Sequence, residues 1–108
     1  MIELDLNVPE FQQRWFALEK EDQLAVLHTC GKIASMTWDD AYRDRGLKWE
    51  AIRSRDDRGG RRLYTIRVTK RVRAVVRRAG NHLVFLTLHP DHDSAYNGSP
   101  LPDRPVVL

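Results

Sequence analysis

Six consecutive residues, Leu83-Val84-Phe85-Leu86-Thr87-Leu88, constrain this chain more than any other stretch. So short an apolar run reads as a buried β-strand. It empties at once into His89-Pro90-Asp91-His92-Asp93-Ser94-Ala95-Tyr96, a cluster of titratable and hydroxyl groups. A central strand that ends this way carries chemistry to the rim of a sheet and holds it more firmly than a free loop would. Three of the four histidines fall between His82 and His92.

The remaining pattern splits the chain in two. Ile2, Leu4 and Leu6 alternate with Glu3 and Asp5, as in a half-buried strand. Asn7-Val8-Pro9-Glu10 reads as a helix start, with Asn7 as cap and Glu10 where a capping-box acid would sit; Phe11, Trp15 and Leu18 follow at helical spacing. After a break near residues 19–22, a second helix is predicted to bury Leu24, Leu27, Cys30 or Gly31, and Ala34, with Val26 and Ile33 on its flank. Thr37 and Asp40 have the spacing of a capping box for a third, short helix that Gly46 is placed to stop.

From Leu47 onward the period is two. Leu47, Trp49 and Ala51, then Tyr64, Ile66 and Val68, then Val72, Ala74 and Val76 each alternate with their neighbours. Together with residues 83–88 they predict four strands, joined through Asp-Asp, Gly-Gly and Gly-Asn turns. The expected fold is therefore α+β: an N-terminal strand and a helical hairpin on a twisted, mainly antiparallel sheet of four to five strands. The 108 residues suffice for one domain, expected over residues 1–96; residues 97–108, with Pro100, Pro102 and Pro105, read as an extended tail.

Charge is unevenly spread. The net charge is only +3, yet residues 53–78 hold ten arginines and one lysine against Asp56 and Asp57, while residues 1–50 are net acidic. One part of the surface should attract phosphate backbones or acidic protein segments, unless it is merely a solvated strand face. The single cysteine, Cys30, excludes an intramolecular disulfide, fits a reducing compartment and is expected to be buried and inert. No run approaches membrane-spanning length and the first residues lack a signal-like pattern, so a soluble, cytoplasmic protein without membrane association is expected.

Arg67 and Arg73 would be neighbours across the turn between two strands. Such a pair needs an anion to offset it: a phosphate, a carboxylate-rich partner, or Asp91 and Asp93 in an ordinary ion-pair network. Beside them, His89, His92 and Tyr96 can exchange protons. Phosphate-binding cations next to a proton-transfer group are what RNA cleavage requires, because a 2′-hydroxyl must lose its proton, phosphoryl charge must be stabilised and the leaving oxygen must be protonated. His89-x-x-His92 with the aspartates has donors enough for a metal, but its spacing fits no metal signature and the arginines would repel a cation, so neither metal nor cofactor is expected. Trp15, Trp38 and Trp49 read as core or groove-lining aromatics, with base stacking a second role open to Trp49.

The strand and helical hairpin, then Leu63-Tyr64-Thr65-Ile66-Arg67-Val68, Arg73-Ala74-Val75-Val76, a hydrophobic strand and a late Tyr96, resemble the RelE/ParE toxin superfamily, and within it the RelE- and HigB-like toxins of bacterial type II toxin–antitoxin systems. The resemblance spans most of residues 2–96. It implies a small cytoplasmic toxin that inhibits translation as a metal-independent endoribonuclease, cutting mRNA in the ribosomal decoding site until an antitoxin neutralises it. On that likeness Arg73 stabilises the scissile phosphate, His92 or His89 moves a proton, and Tyr96 lies near the substrate. Arg67, Arg71, Lys70 and Arg62 would then hold RNA phosphates. The alternative on the same fold is a noncatalytic binding module, such as the gyrase-directed ParE-like branch.

Overall fold

A computed structural model describes residues 1–56 and 62–90, with the backbone alone at residues 53–56. Expectations for His92, Tyr96, Asp91, Asp93, the Gly59-Gly60 turn and the proline-rich tail fall outside the described residues. The order of elements is β1 (Glu3–Asp5), α1 (Pro9–Ala17), α2 (Lys20–Ala34), α3 (Trp38–Arg43), β2 (Glu50–Asp56), β3 (Arg62–Arg67), β4 (Arg73–Ala79) and β5 (His82–His89). The strands form a five-stranded mixed sheet in the order β1-β5-β4-β3-β2, so the protein is α+β as the two periods predict. Only β1 runs parallel to its neighbour, β5; the other three pairings are antiparallel. The apolar run 83–88 lies inside the sheet as expected, but the centre belongs to β4.

One face of the sheet is covered by helices. Phe11 of α1 lies 5.3 Å from Phe85 of β5, ring centre to ring centre, and both are fully buried with Ile66, Val76, Leu83 and Leu88. Val26, Cys30 and Ile33 carry α2 into the same core, and the three tryptophans pack on its margins as anticipated. A second, smaller cluster of Ile52, Leu63 and Val75, flanked by Leu86, occupies the opposite face.

Local details correct several expectations. Asn7 does not cap α1. Its backbone and side-chain N–H groups both donate to the Asp5 carboxylate, leaving Val8 as the cap residue, and Glu10 pairs with Arg14 one turn on. On α2 the larger apolar stripe faces outward: Leu24 and Leu27 are 45% and 53% exposed, and Gly31 and Ala34 are exposed with them. Both faces of this helix are apolar, so the shape of the sheet below decides which one is buried. The Thr37–Asp40 capping box is present in full. Gly46 does not end α3, which stops at Arg43. Asp44 makes the turn instead, accepting hydrogen bonds from the Leu47 backbone N–H and from Lys32 Nζ, each at 2.9 Å. A Cβ on Gly46 would stand 3.0 Å from Lys32 Nζ and 3.1 Å from Asp44 Oδ1, tight against the ion pair.

Two features set the register around β4. Gly80 takes φ 62° ahead of Asn81, where a type II′ hairpin calls for a residue without a Cβ. Further along, Val75 pairs with Thr87 but Val76 pairs with Phe85, so Leu86 is an extra residue on β5. This β-bulge shifts the alternation of the strand by one. Leu83 and Phe85 point at the helices before it and Leu88 after it, which sends Thr87 and His89 to the other face.

Candidate functional site

The register brings three of the sequence-predicted residues into a single row. Arg67 on β3 pairs with Arg73 on β4, and Arg73 pairs with His89 on β5. Directly opposed residues on neighbouring strands share a face, with Cβ atoms about 5 Å apart. The next row, Ile66, Ala74 and Leu88, points into the helix-covered core, so the row of Arg67, Arg73 and His89 lies on the opposite face, at the end of the sheet where β5 finishes. The turn that joins β3 to β4 completes this rim. Thr69 Oγ1 accepts the backbone N–H groups of Arg71 and Val72, which tightens the turn and leaves Lys70 and Arg71 exposed at its tip.

Within the row the side chains differ in standing. Arg67 is half-buried, and its Nε donates to the Thr69 carbonyl at 3.4 Å. Arg73 and His89 are buried at 2% and 3% exposure. The Arg73 guanidinium reaches back over the sheet, where Nη2 donates to Thr65 Oγ1 at 3.2 Å and to the Lys48 carbonyl and Glu50 Oε1 at 3.4 Å each. Glu50 is therefore an anion that offsets the arginine pair, and it comes from β2 rather than from the loop after β5. Its side chain is 49% exposed, so the pair is only partly withdrawn from water.

Arg62 does not join the row, for it begins β3 and so stands five residues, roughly 17 Å, from Arg67 along the strand. His82 is separated in the same way. It starts β5, where its Nε2 lies 3.5 Å from a carboxylate oxygen of Glu3 on β1. The clustering of histidines in the sequence thus divides between the two ends of one strand.

The helix side of the same rim holds a residue that sequence reasoning missed. Arg14 pairs with Glu10 on α1 and extends Nη1 to the Leu88 carbonyl at 3.2 Å. In the sequence it is an ordinary cation four residues after an acid, and nothing local connects it with a strand 74 residues away. With Ala17, Leu18, Leu88 and Pro90 it lines a depression of about 220 Å³. Sites that enclose small organic ligands begin near 300 Å³, so this hollow is too small to swallow a metabolite. Lys70 and Arg71 supply exposed charge, Arg67 and Arg73 fixed guanidiniums, and His89 an imidazole. Among the described residues no helix is long and apolar enough to cross a membrane. No family model, characterised protein sequence or solved structure matches the chain.

Proposed function

We propose that the protein is a RelE-like toxin that cleaves mRNA at the ribosome, with the rim of Arg67, Lys70, Arg71, Arg73 and His89 as its RNA-facing site. The observation that carries this reading is the cross-strand row of two guanidiniums and an imidazole at the end of β5. In-line attack by a 2′-hydroxyl needs little covalent help from a protein; it needs a fixed cation at the phosphoryl oxygens and a group that moves a proton. Arg73, positioned by Thr65 and Glu50, meets the first need, and Arg67 beside it adds a second cation. His89 meets the second, sharing the role with His92; Tyr96 is assigned to the leaving oxygen. Lys70 and Arg71, exposed at the turn, hold flanking phosphates.

A second reading, a noncatalytic module that holds an acidic antitoxin segment or another partner, is favoured by the burial of Arg73 and its engagement by Glu50. A translation extract separates the two. The nuclease reading expects truncated mRNA only when ribosomes are present, reduced about 100-fold or more by Arg73→Ala and by whichever of His89→Ala and His92→Ala removes the proton carrier. Intact mRNA, together with normal growth on expression, rules out cleavage and leaves the binding module.

A further inference from the structure

The outward stripe of α2 is a packing seam left open. Leu24, Leu27, Gly31 and Ala34 recur at intervals of three, four and three residues, the spacing of a helix that docks along a second helix. The protein's own core does not use this stripe, because Val26, Cys30 and Ile33 already carry the buried face of α2. A Cβ placed on Gly31 would meet no atom within 4 Å. Phe16, 67% exposed, extends the apolar surface at one end; the Gln23 side chain donates to its carbonyl at 3.0 Å and so holds it beside the start of α2.

We propose that a second copy of this chain covers the seam, α2 against α2 in antiparallel orientation. The order of sizes argues for self-pairing: bulky Phe16, Leu24 and Leu27 lie toward the start of the seam, and small Gly31 and Ala34 lie at its end. An antiparallel pair centred midway between Leu27 and Gly31 sets Leu24 over Ala34 of the second copy and Leu27 over its Gly31, and symmetry repeats both contacts. Each large side chain then enters a recess left by a small one, whereas a parallel pair would stack leucine on leucine and glycine on glycine. The opposed helix dipoles favour the same orientation.

Sedimentation of the full chain over a dilution series tests this. A monomer–dimer equilibrium is expected, with Leu27→Glu and Gly31→Leu each shifting it to monomer while far-ultraviolet circular dichroism and the melting temperature stay near wild type. An equal mixture of Leu27→Cys and Gly31→Cys proteins, oxidised and mapped by mass spectrometry, is expected to link position 27 to position 31. A wild-type chain that stays monomeric up to submillimolar concentration overturns the proposal. So does a dimer that both substitutions leave intact, or a crosslink that joins 27 to 27 in preference.

Discussion

Cys30 illustrates what the core does to a single titratable side chain. Burial among apolar neighbours pushes its thiol up to about 11, because the thiolate would have to form out of water. The folded protein should therefore resist thiol-reactive reagents at neutral pH and react fully once unfolded by guanidinium, as a colorimetric thiol assay will record. Since the folded state keeps the proton longer than the unfolded one, Cys30 should also make stability fall as the pH rises from 9.0 toward 11. At Arg73 the useful comparison is between charge and shape. Arg73→Met retains much of the buried volume but loses the donors to Thr65 and Glu50. Removing a buried guanidinium that donates to Thr65, Lys48 and Glu50 should cost on the order of 1–3 kcal/mol by chemical denaturation. On the nuclease reading the same substitution abolishes mRNA cleavage, so a folded, inactive variant is the expected result.

Among the elements, the turn after α3 rests on one carboxylate. Hydrogen bonding from the Lys32 ammonium holds Asp44 below its ordinary 3.8 against the opposing effect of desolvation, with smaller help from the backbone N–H groups of Leu47 and Gly46 and the Lys32 charge. A depressed carboxyl stabilises the fold above its unfolded pKa and loses that contribution as pH falls through the folded value. Asp44→Asn should cost on the order of 1 kcal/mol near neutrality and almost nothing well below pH 3.8, a difference that urea titrations at several pH values will reveal. Element type was legible wherever one periodicity stood alone, as in β3, β4 and the Thr37 capping box. It was not legible where two patterns competed. On α2 the leucines outweigh Val26, Cys30 and Ile33 by size, yet fit to the sheet sent them outward. At Asn7 two polar residues spaced by two offered Asp5 as a nearer partner than the helix end. The row of Arg67 and Arg73 followed from turn length alone; the arrival of Glu50 and Arg14 at the same rim depends on tertiary packing and leaves no local trace.

For the molecule as a whole, the contrast between an acidic first half and an arginine-rich second half has a spatial outcome. Four cations, Arg67, Lys70, Arg71 and Arg73, gather where β3 turns into β4 and β5 finishes, while Arg62, Arg77 and Arg78 lie toward the other end of the sheet. If Arg67, Lys70 and Arg71 each neutralise one phosphate, the affinity for single-stranded RNA should fall with salt on a log–log slope of about −2, and Lys70→Ala with Arg71→Ala should remove roughly two thirds of that slope. Filter binding at several salt concentrations measures both. A slope near zero would remove RNA from the list of partners for this rim.

The extra residue at Leu86 gives the rim a dependence that no side chain advertises. Were the strand to run unbulged with its sequence unchanged, β5 would keep one phase throughout, and His89 would share a face with Leu83 and Phe85, against Phe11, rather than with Arg73. The strand thus behaves like a written line with one silent letter, which can be dropped without changing how the rest is read. Deleting Leu86 should give an unbulged strand with Thr87, Leu88 and His89 still on their present faces, whereas a second residue inserted beside it must either enlarge the bulge or turn those three over. What the bulge keeps in place is the phase of the strand, not a chemical group.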